Sequence, residues 1–146
     1  MNLGATLYVN DSSSAAAFYM EAFGMTMGYN VKNPDGTFLH AELLKNDKSI
    51  FALSDSGDSA IANAMLNSSR PTMSYGLDLE TDAALAKAYG LLADGGKVLR
   101  PLGALPWSPC SADVIDRYGV CWYLYVSQEK PTDSAMDEWF ANNSPN

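Results

Sequence analysis

The residues with chemistry to offer are few. His40 is the only histidine, and Glu42 stands two positions on. An extended strand would set both side chains on one face, where the pair could help hold a cation. Cys110 would be a nucleophile only if a neighbour lowered its pKa. Cys110 and Cys121 match no zinc or redox spacing, and free thiols are expected. There is no P-loop, phosphate-cradling glycine loop or nucleophile elbow, and Gly95-Gly96 reads as a helix stop.

The elements that must position these groups follow from pattern. Residues 3–9 carry β-formers in loose alternation and read as a strand. Asn10 to Ser13 supply N-cap candidates for a helix over Ala15 to Phe23, which Gly24 would end. Strands are expected at 25–32, 37–44 and 49–54, joined by the turns Asn33-Pro34-Asp35-Gly36 and Lys45-Asn46-Asp47-Lys48. The stretch 55–71 is small and polar and reads as a linker, with one helical turn around Ile61 to Met65.

The pattern then restarts. A strand at 73–79 leads into a helix over 82–93, capped from Glu80-Thr81-Asp82. Strands follow at 97–102, 110–115 and 120–126, with a loop from Gly103 to Pro109 that carries Trp107. AELLKNDKSIFAL from Ala41 aligns without a gap on ADVIDRYGVCWYL from Ala112, so Glu42 meets Asp113, Phe51 meets Trp122 and Leu53 meets Leu124. Leu7-x-Val9 matches Leu77-x-Leu79 in the same order, which points to a duplicated unit. The duplication by itself accounts for the paired carboxylates Glu42 and Asp113. After Gln128, Pro131 breaks the last strand, and residues 134–141 read as a short helix with Met136, Trp139 and Phe140 on one side. That face would dock on its own domain or on a second subunit.

The expected fold is α+β, built from two tandem β-α-β-β-β modules. One domain covers 1–130, with module one at 1–56, a linker at 57–71 and module two at 72–128. A tail with a short helix covers 131–146. A length of 146 residues suits one domain with a real core.

Four stretches carry a resemblance: AAAFYMEAFGMTM at 15–27, HAELLKNDKSIFALSD at 40–55, LADGGKVLRPL at 92–102, and Trp107 followed by Val114 to Trp122. In order and spacing the chain resembles the vicinal oxygen chelate superfamily, which includes glyoxalase I, bleomycin-resistance proteins and extradiol dioxygenases. Within it the chain looks most like the PhnB-like branch, although nothing in it resembles a methyl-donor site. The resemblance implies that the two tandem modules form a cup-shaped mixed sheet, and it implies four metal ligands, usually His or Glu, on the first and last strands of each module. These map to Gly4, Ala52, Ser74 and Tyr123, and a shift of one residue brings Ala5, Phe51, Tyr75 and Trp122. Neither set makes a metal site, so no metal and no cofactor is expected. If the turn pairs Leu44 with Ser49, Leu39, Ala41 and Leu43 share the face of Ala52 and His40 points away from the cup; a bulge would reverse this.

By the same mapping, Cys121, Tyr123 and Tyr125 line the cup. Thr6 and Tyr8 face it while Leu7 and Val9 pack outward, and Trp107 lies beside it. Thr6, Tyr8, Trp107, Cys110, Cys121, Tyr123 and Tyr125 are the expected ligand-binding residues, with His40 and Glu42 as further candidates. Flat apolar walls with a few hydroxyls suit an aromatic or amphipathic small molecule. The expected function is therefore metal-free small-molecule binding. The alternatives are an enzyme of the same superfamily, of lyase, isomerase or dioxygenase type, with an atypical site, and an interaction module acting through a dimer surface. A homodimer is expected by resemblance.

Nine basic against seventeen acidic residues repel phosphate backbones and anionic lipid, so neither nucleic acid nor membrane is an expected partner. The first twenty residues show no signal-peptide pattern and no apolar stretch approaches a bilayer span, which makes the cytoplasm the expected location.

Overall fold

The computed structural model describes residues 1–144. Module one runs β1 (Thr6–Val9), α1 (Ser12–Phe23), β2 (Thr26–Lys32), β3 (Phe38–Lys45) and β4 (Lys48–Asp55). A linker helix α2 (Ile61–Leu66) follows. Module two runs β5 (Tyr75–Asp78), α3 (Asp82–Ala93), β6 (Lys97–Leu105), β7 (Ser108–Ile115) and β8 (Cys121–Tyr125), and α4 (Asp133–Asn143) ends the described chain. Two four-stranded mixed sheets result, ordered β1-β4-β3-β2 and β5-β8-β7-β6. The repetition of one order in both halves is the duplicated β-α-β-β-β unit, and the tandem modules form a cup. The last two residues of the expected tail, Pro145 and Asn146, lie outside the described residues.

Local chemistry explains the helix ends. Asp11 takes a left-handed conformation and its carboxylate accepts from the Ser14 amide at 3.4 Å, while Gly24, at φ 63°, stops α1. Thr81 caps α3 by accepting from the Ala84 amide at 3.1 Å. Alternation decides which strand face is covered. Leu7, Val9, Ala41, Leu43, Phe51 and Leu53 turn toward the helices and are at most 5% exposed. Ala112, Val114, Trp122 and Leu124 do the same in module two. The opposite face of each sheet is packed by neither α1 nor α3 and is the open face.

The modules share one core. Trp122 packs its ring 5.6 Å from Tyr19, 5.1 Å from Phe23 and 5.4 Å from Phe51, all residues of module one. Beneath them Asp116 is fully buried and accepts from Tyr19 Oη at 2.6 Å, Trp122 Nε1 at 2.8 Å and the amides of Tyr118 and Val120. Burial pushes the Asp116 carboxyl above its ordinary range even though these four donors pull it down.

Two expectations are corrected here. The expected loop from Gly103 to Pro109 is a tight hairpin: β6 extends to Leu105, β7 starts at Ser108, and only Pro106 and Trp107 turn. Pro101 is tolerated because β6 is an edge strand. The four-residue turn at Lys45 to Lys48 is a two-residue turn, with Asn46 and Asp47 at φ 52° and 62°. Positive φ at both positions is the hairpin geometry whose twist matches that of the strands.

Candidate functional site

The tight turn at Asn46-Asp47 has a consequence for chemistry. Leu44 pairs with Ser49, as the sequence suggests, but the register then slips, so Leu43 pairs with Phe51 and Glu42 with Ala52. Ile50 is the extra residue of a bulge. Every side chain before it in β3 changes face relative to an unbroken ladder. His40 therefore does not point away from the cup: it shares the open face with Glu42 and Ala52, while Ala41 and Leu43 take the core. His40 Nε2 lies 3.8 Å from Glu42 Oε1, and the Tyr29 ring sits 6.1 Å from the imidazole. Parallel pairing of Thr6 with Ala52 and Tyr8 with Ser54 adds both β1 residues to this face.

In module two the ladder is unbroken between β7 and β8, and Asp113 pairs with Tyr123 and Ser111 with Tyr125. Tyr123 and Tyr125 stack with centroids 5.0 Å apart and planes 15° from parallel. The hairpin tip brings Trp107 over them, and its Nε1 donates to Tyr123 Oη at 3.0 Å. These three aromatics line a cavity of about 610 Å3, closed from the tail side by Ser127, Gln128, Lys130, Pro131 and Met136. Arg100, which the sequence pattern did not single out, donates to Asp113 at 2.7 Å and to Ser111 at 2.9 Å on the same sheet. The pairing of β6 with β7 shifts register three times, so no alternation in β6 could have marked Arg100 as facing Asp113.

The expected ligand residues thus divide. Trp107, Tyr123 and Tyr125 meet in one cavity. Thr6, Tyr8 and Cys121 line another, of about 500 Å3, beside the linker. Cys110 belongs to neither: it sits on the helix side and packs against the core. Burial raises the thiol pKa of both Cys110 and Cys121, the reverse of what a nucleophile needs. Met136 and the segment around Gln128 were missed as lining residues; the apolar side of the expected tail helix was their only trace.

The donor set at the metal positions implied by resemblance can be tested directly. Gly4, Ala5 and Thr6 face Ser74, Tyr75 and Gly76 across a cavity of about 370 Å3 where the two sheets meet. The open-face pairs beside it are Thr6 with Ala52 and Gly76 with Tyr123. Neither these four nor Gly4 and Ser74 bring an imidazole or a carboxylate, so the residues present do not fit a divalent cation held by His and Glu. No group of three or more His, Cys, Asp or Glu is placed to hold a metal ion among the described residues. Among them, too, no helix is long and apolar enough to cross a membrane.

The chain matches the Glyoxalase/Bleomycin resistance protein/Dioxygenase superfamily over residues 4–122. It is similar to the solved structure of a PhnB protein from Bacillus cereus, with a TM-score of 0.67 and 25% identity over 87% of this chain and 100% of that one. Protein PA1353 from Pseudomonas aeruginosa gives a TM-score of 0.67 at 22% identity, covering 88% and 99%. TioX from Micromonospora sp. ML1 gives 0.60 at 18%, covering 90% and 100%. No curated protein matches at a significant level.

Proposed function

Because the chain belongs to the glyoxalase/bleomycin resistance protein/dioxygenase superfamily, we propose that it is a metal-free member that binds an aromatic or amphipathic small molecule on the open face of module two. The stacked pair Tyr123 and Tyr125, with Trp107 hydrogen-bonded across it, carries this reading. Near-parallel rings expose flat faces to a planar guest, and the hydroxyls give it orientation. A volume of about 610 Å3 lies within the roughly 300–1,000 Å3 range of small-molecule sites. The missing imidazoles and carboxylates at the family's ligand positions favour binding without a metal.

The test is a titration of planar aromatic compounds followed by tryptophan fluorescence, with and without a chelator. Saturable binding that ignores the chelator and is lost in Tyr123→Ala supports the reading. Binding that requires a divalent cation overturns it.

One observation favours a second reading, an enzyme with an atypical site. The bulge at Ile50 places His40 and Glu42 together on the open face beside Tyr29. Glu42 lies close enough to help orient the imidazole, an arrangement suited to proton transfer. Elemental analysis of chelator-free wild type and His40→Ala tests its metal-dependent form: one equivalent of a cation lost in the variant would favour it. In either reading we expect a cytoplasmic homodimer, checked by light scattering at micromolar concentration and by cell fractionation.

A further inference from the structure

The cavity beside the linker shares no lining residue with the tyrosine site. Its volume is about 500 Å3. Ile61 and Met65 of α2 roof it, Leu7 and Tyr8 form one wall, and Tyr118 and Val120 form the other. The roof is seated firmly. Gly119, at φ 87°, lets α2 approach so closely that a Cβ there would lie 2.9 Å from Ala62 Cα. Lys97 Nζ also donates to the Ser68 carbonyl at 2.6 Å, fixing the linker beyond α2.

Its charge is unusual for this chain. Seventeen acidic residues outnumber nine basic ones, yet no acidic residue lines the cavity and its one charged residue is Arg70. Arg70 is exposed and takes part in none of the three ion pairs among the described residues. We infer that this cavity binds an apolar small molecule bearing a single anionic group, with its hydrocarbon or aromatic part under α2 and its carboxylate at Arg70. Guanidinium meets carboxylate through two parallel hydrogen bonds, and the apolar walls supply the remaining affinity. Cys121 faces the cavity as a neutral thiol, since burial raises its pKa, and so adds no competing negative charge.

This site goes beyond the tyrosine site and is tested separately from it. Decanoate, decan-1-ol and decyltrimethylammonium are titrated by calorimetry into wild type, Arg70→Gln, Ile61→Trp and Tyr123→Ala. Decanoate should bind about tenfold or more tightly than the alcohol, with the ammonium weakest. Arg70→Gln should abolish that preference while leaving the alcohol unchanged, and Ile61→Trp should weaken all three by filling the cavity. Tyr123→Ala should alter none of them. Equal binding of the three probes, a preference that survives Arg70→Gln, or decanoate binding lost in Tyr123→Ala but kept in Ile61→Trp would each overturn the inference. The arginine is exposed, so its variant folds whichever result is obtained.

Discussion

Tyr19 and Asp116 are 97 positions apart and belong to different modules, yet their side chains meet at 2.6 Å in the shared core. Replacing Asp116 with Asn turns one acceptor oxygen into a donor. It then opposes either Trp122 Nε1 or the amides of Tyr118 and Val120. We expect a loss of about 1–3 kcal/mol, read by urea unfolding.

The pH dependence of that loss has a definite sign. The folded carboxyl of Asp116 lies above its unfolded value of about 3.9, so the native state holds the proton more tightly. Its contribution is complete below that unfolded value and declines as pH rises through the folded pKa. The cost of Asp116→Asn should therefore shrink as pH rises through this window. Asp55 runs the other way. The amide and hydroxyl of Ser12 donate to its carboxylate, and hydrogen bonding led by the Ser12 amide holds it below the usual range. The cost of Asp55→Asn should shrink as pH falls through that lowered pKa. Unfolding curves from about pH 3 to pH 8 check both signs.

Gly119→Ala should destabilise the protein by about 1–3 kcal/mol, because a Cβ there is strained by its positive φ and meets α2. Relief requires the linker to lift. Limited proteolysis should show faster cleavage within residues 57–71 than in wild type, and equal rates would contradict the seating described.

At the tyrosine site, Trp107→Phe removes the hydrogen bond to Tyr123 but keeps an aromatic ring. Affinity for planar aromatics should fall by roughly threefold to tenfold, and Tyr123→Ala should cost tenfold or more. The first variant loses the tryptophan that reports from the site, so calorimetry is the measurement.

Ending the chain after Lys130 removes Pro131 and Met136 from the wall of that cavity. No residue of α4 is buried, so the stability loss should stay below about 1 kcal/mol. In a Trp139→Phe background, acrylamide should quench Trp107 more strongly once the tail is gone.

Much of this architecture was legible in the sequence because it rests on local rules. Gly24 at the end of α1, Thr81 before α3 and the outward packing of Leu7 and Val9 need only capping and alternation. What could not be read is the bulge at Ile50. One unpaired residue leaves the composition of β3 untouched while exchanging its faces, so pattern alone leaves both sides of the strand open to His40 and Glu42. The division of the expected pocket was hidden for another reason. It depends on how far the hairpin at Trp107 bends and where the linker lies, and both are set by tertiary contact. Arg70 carried no pattern at all.

The gapless alignment of the two halves hides a difference at one aligned pair, Lys45 and Asp116. Lys45 Nζ donates to the Phe23 and Gly24 carbonyls and so closes the end of its own helix. Asp116 reaches instead for the helix of the other module. Two copies of module one set against each other would offer Tyr19 a cation-bearing side chain where it now finds an acceptor. The same place in the duplicated unit thus serves opposite ends: in one half it ties a module to itself, and in the other it ties the two modules together.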